Sequence, residues 1–400
     1  MKKVLLVILI LLIHPFLLGS QKSNYLMVLS MDGFQWDYPN KAATPNLDSL
    51  AKIGVISEII PAFPSKTFPN HYTLATGLYP DHHGIVLNDH FNYPLQEWYR
   101  TSDRKAVEKG IFYGGEPIWN TAETQGVKAA TLFWVGSEAD INGQRPTYWK
   151  KYQHDMPFSD RIDTVVSWLK KPVISRPRLI LWYLHQPDSW GHQLGPENPE
   201  ILPKIQYLDS LVGIFCSKLQ MLPIRDSINV IITSDHGMGQ ISRERVIILD
   251  HYIKKEWLEK ETGSSPVFMF EPKTVFVDSV VFHLGKAGHL ALWKKTEIPK
   301  NLHFGSHSNI MPLVALADSG WSIYWQKDLE KEHYLGGTHG YTPENRDMHA
   351  IFYAFGPDFR PNYVHEAFAN IHLYNLMCKL LKIEAGINDG DLKKVQNMLR

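Results

Sequence analysis

The chain has 400 residues, 44% hydrophobic and 20% charged, ample for a large core in one α/β domain or one domain carrying an inserted subdomain. Its 41 basic and 41 acidic residues leave no net charge, which argues against a nucleic-acid duplex as a partner but leaves small anionic substrates open. Cys216 and Cys378 are too few for a disulfide framework and offer no close thiolate pair for a metal; both lie in apolar helical patterns and read as buried free thiols.

In chain order, Lys2 and Lys3 precede the apolar stretch Val4 to Ile13, and small residues Gly19 and Ser20 follow. This reads as an export signal over residues 1–20, so the mature chain is expected in the periplasm, secreted, or at the cell surface. A retained segment would be a short anchor giving only weak membrane association, because its apolar run is brief for a bilayer span. The first strand, Tyr25–Ser30, runs into Met31-Asp32-Gly33. Thr44 and Pro45 open a helix that Gly54 stops. Thr67 stands before a helix over Pro69 to Ala75, and Asn88 follows the apolar run Ile85 to Leu87. Further strands are expected at Lys128–Trp134, Leu179–His185, Ile228–Ser234 and Ala350–Gly356. Leu179–His185 leads into Asp188 and His192, and Ile228–Ser234 into Asp235 and His236. Between them Ile205, Leu208, Leu211, Val212, Phe215 and Leu219 recur at helical spacing.

Strands alternating with helices predict an α/β fold, a mostly parallel central sheet with helices on both faces. Residues 241–335 break that rhythm and read as a smaller α+β insertion. The catalytic domain is then 21–240 and 336–400, with 241–335 as the inserted subdomain.

Six segments carry metal-type or phosphate-type side chains: those of Asp32, Thr67, Asn88, Asp188 with His192, Asp235 with His236, and His339. Three of them begin where a predicted strand ends, the usual place for a site in an open α/β sheet. Carboxylate and imidazole without thiol suit zinc, and less well manganese or iron. Six ligands supply three for each of two metals, which leaves an open position of the catalytic kind. Thr67 is the candidate nucleophile at that position. The amide NH₂ of Asn88 is the candidate donor to a non-bridging phosphate oxygen.

With these residues in view, the chain resembles the nucleotide pyrophosphatase/phosphodiesterase family of the alkaline phosphatase superfamily. The resemblance runs from about Tyr25 to at least Leu381. It rests on Lys66-Thr67-Phe68-Pro69-Asn70-His71-Tyr72, Gly77-Leu78-Tyr79-Pro80, His83-Gly84-Ile85, Gly115-Glu116-Pro117-Ile118-Trp119, Pro187-Asp188 with Gly191-His192, and Tyr374-Asn375-Leu376-Met377-Cys378. It implies an alkaline-phosphatase-like fold and two zinc ions per chain. One would be held by Asp188, His192 and His339, the other by Asp32, Asp235 and His236 with Thr67 bridging toward it. It also implies in-line displacement through a covalent threonine intermediate. Gln186, Trp190 and Leu87 depart from the family's usual residues, and the chain is expected to be a catalytic domain alone, without the extra Cys-rich and nuclease-like domains of eukaryotic members.

Nucleotide-cleaving relatives stack the base on aromatic side chains, and Phe112, Tyr148, Trp149 and Tyr152 lie in the matching regions. Phe112, Trp149 and Tyr152 are therefore the candidate substrate-binding residues. The favoured substrate is a nucleotide phosphodiester or pyrophosphate. The rivals are a choline-type lysophospholipid phosphodiesterase, which needs an anionic or aromatic cage, a phosphate monoesterase, and a non-catalytic metal-binding surface protein.

Overall fold

The computed structural model describes residues 24–331 and 336–400. The expected export signal lies outside the described residues. Among those described, no helix is long and apolar enough to cross a membrane.

The central sheet is built from β1 (Tyr25–Met31), β2 (Val55–Ile60), β3 (Ala129–Leu132), β4 (Tyr148–Lys150), β5 (Leu179–Leu184), β6 (Ile228–Thr233), β7 (Ala350–Phe355) and two short edge pieces, β8 (Tyr363–Val364) and β9 (Phe368–Ala369). Its order is β8-β2-β7-β6-β1-β5-β3-β4, with β9 also pairing β2. Strands β6, β1, β5, β3 and β4 run parallel. One expectation is corrected here: β7, read as one of the parallel strands, is antiparallel to both its neighbours, β6 and β2. A doubly buried apolar run has the same composition in either direction, so its sequence does not encode the sense of pairing.

Helices cover both faces. Along β1, Leu26 and Val28 point into one core, and Met27, Leu29 and Met31 into the other. That alternation is the two-residue period of a strand. The first core is closed by α-helices Thr67–Thr76, Ile118–Thr124 and Leu373–Leu381, the second by Pro45–Ile53, Phe158–Leu169 and Ile201–Gln220. Pro45 sits in the first turn of its helix, as its fixed φ favours. Both cysteines are free; Cys378 is buried and Cys216 partly so.

Between 241 and 335 the chain makes its own antiparallel sheet from Leu258–Ser264, Val267–Pro272, Leu313–Ala317 and Leu290–Lys294. One face packs on Val86, Leu87, Phe91 and Phe304, the other on Val280 and Leu284 of the helix Val277–Leu284. The first of these cores anchors the unit beside the turn that carries Asn88.

Candidate active site

Parallel register decides where the acidic residues meet. Met31 lies opposite Leu184 and Ser30 opposite Thr233, so β1, β5 and β6 end side by side. Neighbouring strands are ~4.8 Å apart, and the residues just past those ends converge. Asp32 follows β1 directly, Asp235 and His236 follow β6 through Ser234, and Asp188 opens the helix Asp188–Leu194 after β5. The Asp188 amide donates to Asp32 O at 2.9 Å. Gly33 (φ +69°) permits that approach, since a Cβ there would lie 2.9 Å from the Asp188 Cα. His192 lies four residues on from Asp188, on the same helical face. His339 arrives from Gly337–Thr338, which pairs antiparallel with Gly239–Gln240.

Three histidines are oriented alike. The Nδ1 atoms of His192, His236 and His339 each lie 2.8 Å from a backbone carbonyl, those of Gly337, Gly237 and Ser65. A carbonyl only accepts, so each Nδ1 carries a proton and leaves the Nε2 lone pair for a metal. With no metal bound, burial would lower the His236 pKa, but Asp235 outweighs it and raises that pKa above its ordinary 6.5. Those lone pairs face carboxylates: His192 and His339 Nε2 lie 3.4 and 3.5 Å from Asp188 Oδ1, and His236 Nε2 lies 3.4 Å from Asp32 Oδ1 and 3.0 Å from Asp235 Oδ2. The same three oxygens, Asp32 Oδ1, Asp188 Oδ1 and Asp235 Oδ2, are buried without a hydrogen-bond partner. Lone pairs aimed at orphaned anionic oxygens repel unless a cation lies between them. The donor set therefore fits divalent metal, and its oxygen and imidazole chemistry fits zinc. Two ligand groups emerge, Asp188 with His192 and His339, and Asp32 with Asp188 and His236. Asp188 borders both.

The electrostatics carry the same signature. Burial, then the carboxylates of Asp235 and Asp188, hold the Asp32 pKa well above its ordinary 3.8. Burial would also raise Asp235, but His236 and His71 outweigh it and hold that carboxyl well below 3.8. Burial, with His236 and Lys66 nearby, keeps His339 neutral, its pKa well below 6.5.

Thr67 is the first residue of its helix rather than the residue before it, with Lys66 as N-cap. Its Oγ1 lies 3.2 Å from His236 Nε2, at the mouth of the ligand cluster. Asn88 Oδ1 accepts from the Phe68 amide at 2.9 Å. This fixes the side-chain orientation, so Nδ2 is the end left to donate into the cleft. Thr67, Asn88, Asp188, His192 and His339 line one cleft of about 1020 Å³.

The expected base-stacking residues are not brought to that lining. Phe112 is 2% exposed, packed edge-on against Tyr99 in the core, so it has no face to offer. Trp149 stands half-buried on edge strand β4, its ring 5.5 Å from the Arg145 guanidinium. Tyr152 is half-buried, bonded to His154 and 6.4 Å ring to ring from Tyr183. The aromatic residues that do line the cleft are Trp98, Phe268, Tyr324 and Trp325, most of them from the 241–335 unit.

Two supporting residues escaped the sequence reading. The Tyr183 hydroxyl donates to Asp32 Oδ2 at 2.5 Å. His71, one helical turn beyond Thr67, places Nδ1 3.2 Å from Asp235 Oδ2 and Nε2 2.9 Å from Ser30 Oγ. The usable signal was a tyrosine inside an apolar strand, whose hydroxyl needs a buried partner. Such outer partners orient metal ligands. Tyr183→Phe is expected to weaken zinc affinity by roughly tenfold or more while the protein stays folded; competition with a chromophoric chelator measures it, and an unchanged affinity would remove Tyr183 from the site.

Fold and site together define a class: α/β metal-dependent hydrolases whose carboxylate and imidazole side chains gather at the carboxyl ends of a mixed, largely parallel sheet. Comparison with known proteins narrows it. Residues 26–342 match the model of the type I phosphodiesterase / nucleotide pyrophosphatase family, and the chain belongs to that family, whose members hydrolyse phosphodiester and pyrophosphate bonds. It is 37% identical to human ectonucleotide pyrophosphatase/phosphodiesterase family member 5 over 93% of this chain and 77% of that protein. It is 35% identical to a venom phosphodiesterase of Crotalus durissus collilineatus over 94% of this chain, but spans only 46% of the venom protein. The solved human member 5 superposes with a TM-score of 0.90 at 36% identity, over 94% of this chain and 100% of that one. A murine member 5 structure, an inactive threonine-to-alanine variant in complex with AMP, gives the same TM-score at 35% identity, with the same coverage.

Proposed function

We propose that the chain is a two-zinc phosphodiesterase and nucleotide pyrophosphatase that works through a covalent threonine intermediate. The observation that carries the reading is the ring of unpartnered carboxylate oxygens and Nε2 lone pairs beside Thr67 Oγ1. Asp188, His192 and His339 would hold one ion, and Asp32, Asp235 and His236 the other. When bound, the ions would lower the pKa of a ligated hydroxyl and neutralise phosphate charge.

The chain's own residues supply the rest. The helix places Thr67 Oγ1 at the cleft floor, where its bond to phosphorus forms as the bond to the leaving oxygen breaks in line. Asn88 Nδ2 donates to a non-bridging oxygen, a contact typically worth ~3 kcal/mol of barrier. Water then cleaves the phosphothreonine. Residues 241–335 act as an inserted subdomain that walls the cleft, and 24–240 with 336–400 as the catalytic domain. An exported location follows from the N-terminal segment and fits the venom and ecto-enzyme relatives.

A choline-type substrate fits the cleft poorly. A trimethylammonium needs open aromatic faces, and two of the four aromatic rings at the cleft already carry a cation, Arg100 on Trp98 at 4.9 Å and Lys255 on Trp325 at 5.1 Å. With zinc supplied, hydrolysis of the nitrophenyl ester of thymidine monophosphate should exceed that of nitrophenyl phosphorylcholine and nitrophenyl phosphate by at least ~10-fold, a margin that one or two polar contacts provide. A choline-ester preference would move the protein to the lipid branch, a monoester preference would overturn the diesterase reading, and inactivity on all three would leave a metal-binding surface protein.

A further inference from the structure

The rim of the cleft holds a cation that the chemistry at Thr67 does not use. Arg100 is exposed, lines the same cleft as Thr67 and Asn88, and rests its guanidinium over Trp98. No carboxylate pairs with it among the described residues. The other charges around the cleft are committed. Lys66 Nζ is buried and donates to Ser265 O at 2.7 Å. Glu261 is held by Lys255 at 2.9 Å and by Trp325 Nε1 at 2.9 Å, and Asp328 by Lys331 at 3.2 Å.

Arg100 is also tied to the reaction centre by a short path. Asn88 Oδ1 accepts from the Phe68 amide, next to Thr67. The following residue, Asp89, accepts from the Thr101 amide at 2.9 Å and its hydroxyl at 3.3 Å, and its carbonyl accepts from Thr262 Oγ1 at 2.7 Å. These bonds pin the Arg100–Thr101 segment to the turn that presents Asn88 and to the wall of the 241–335 unit. A guanidinium resting over an indole loses less further freedom on binding an anion than a free side chain, and its fork matches phosphate oxygens.

We propose that Trp98 and Arg100 form a subsite for an anionic group of the substrate, a phosphate beyond the one Thr67 attacks. Arg100 is thus a specificity-determining residue favouring nucleoside polyphosphates and dinucleoside polyphosphates over esters with an uncharged leaving group. This deepens the hydrolase reading and rests on it.

The test compares kcat/KM for ATP and for the nitrophenyl ester of thymidine monophosphate in the zinc-loaded protein, Arg100→Ala and Arg100→Lys. The ATP-to-ester ratio should fall about tenfold in Arg100→Ala, as expected for one charge-assisted contact at a partly exposed site. The loss should sit in KM, and Arg100→Lys should recover part of it through charge without the fork. An unchanged ratio, or equal losses on both substrates, overturns the proposal. Calorimetric titration with inorganic pyrophosphate reads the same subsite without turnover. If the wild-type protein cleaves neither substrate, the hydrolase reading fails, and an unchanged pyrophosphate Kd in Arg100→Ala then sinks this subsite as well.

Discussion

Thr67→Ala is expected to reduce turnover by roughly four orders of magnitude or more, as loss of a covalent nucleophile does, and to leave fold and metal content intact. The physical basis is local. Thr67 occupies the first helical turn, where its hydroxyl makes no capping bond that alanine would lose, and alanine favours the helix. The candidate ligand side chains are positioned by other elements: Asp32 and Asp235 by strand ends, Asp188 by the helix it opens, and the histidines by carbonyls of Gly337, Gly237 and Ser65. Removing Oγ1 thus deletes the attacking atom and little else. The AMP-bound murine relative described as inactive carries a threonine-to-alanine change. Activity on the nitrophenyl nucleotide ester, metal content and Tm should be measured on one preparation. Near-wild-type turnover would reject Thr67 as nucleophile, and lost metal would make it a ligand first.

The second large effect comes from metal removal. Dialysis against a chelator should abolish turnover and lower Tm at neutral pH, and zinc should restore both. Ligand linkage gives the scale: at a free concentration of about a thousand Kd, a bound ion adds ~4 kcal/mol to stability. Without it, the buried carboxylates of Asp32 and Asp235 and the partly buried one of Asp188 crowd together with no cation between them. The apo protein should then show a defined pH dependence. In the folded state Asp32 titrates well above 3.8, raised by burial and by Asp235 and Asp188, so it keeps a proton that the unfolded chain releases. The stability from that proton is complete below about 3.8 and lost as pH rises through the raised value. Asp235 works oppositely, because its depressed carboxyl stabilises above 3.8 and loses that contribution as pH falls through its own low value. Buried neutral histidines such as His83, His90 and His339 lose stability on acidification, so the Asp32 contribution is read as a difference: from about pH 6 down to about pH 4, apo wild-type protein should gain Tm relative to apo Asp32→Asn, and zinc should remove that gain. A Tm difference between the two apo proteins that does not change over that window would show that the carboxylates do not crowd as the geometry indicates.

Much of the central sheet was legible because its strands are short apolar runs buried on both faces. Tyr25–Met31, Leu179–Leu184 and Ile228–Thr233 begin where expected and end within a residue or so of the expected position. Val55–Ile60 escaped notice because Ser57 and Glu58 interrupt its apolar character; Glu58 faces outward to Arg346 and His349. The sense of β7 was illegible for the reason given above, since burial alone selects its residues. Aromatic roles divided in the same way. Nothing in composition separates Phe112, whose ring packs inside the core, from Trp98, whose ring stands at the cleft: one ends the 3-10 turn Gly110–Phe112 and the other sits in the short strand Glu97–Tyr99, and only tertiary packing decides which way each ring faces.

By itself, the sequence determined the chemical inventory. Asp32, Asp188, Asp235 and His236 are ionisable groups at or just past the ends of apolar runs, where burial is costly without a cation, so residue type and strand position nominate them; His192 and His339 are nominated by residue type and motif instead. The tertiary structure decided everything that depends on direction in space. It set which nitrogen of each histidine faces inward, which end of Asn88 is left to donate, that Tyr183 supports Asp32, and that Trp98 and Arg100 border the cleft. These are consequences of strand register and loop closure between residues far apart in the chain, and local sequence does not carry them.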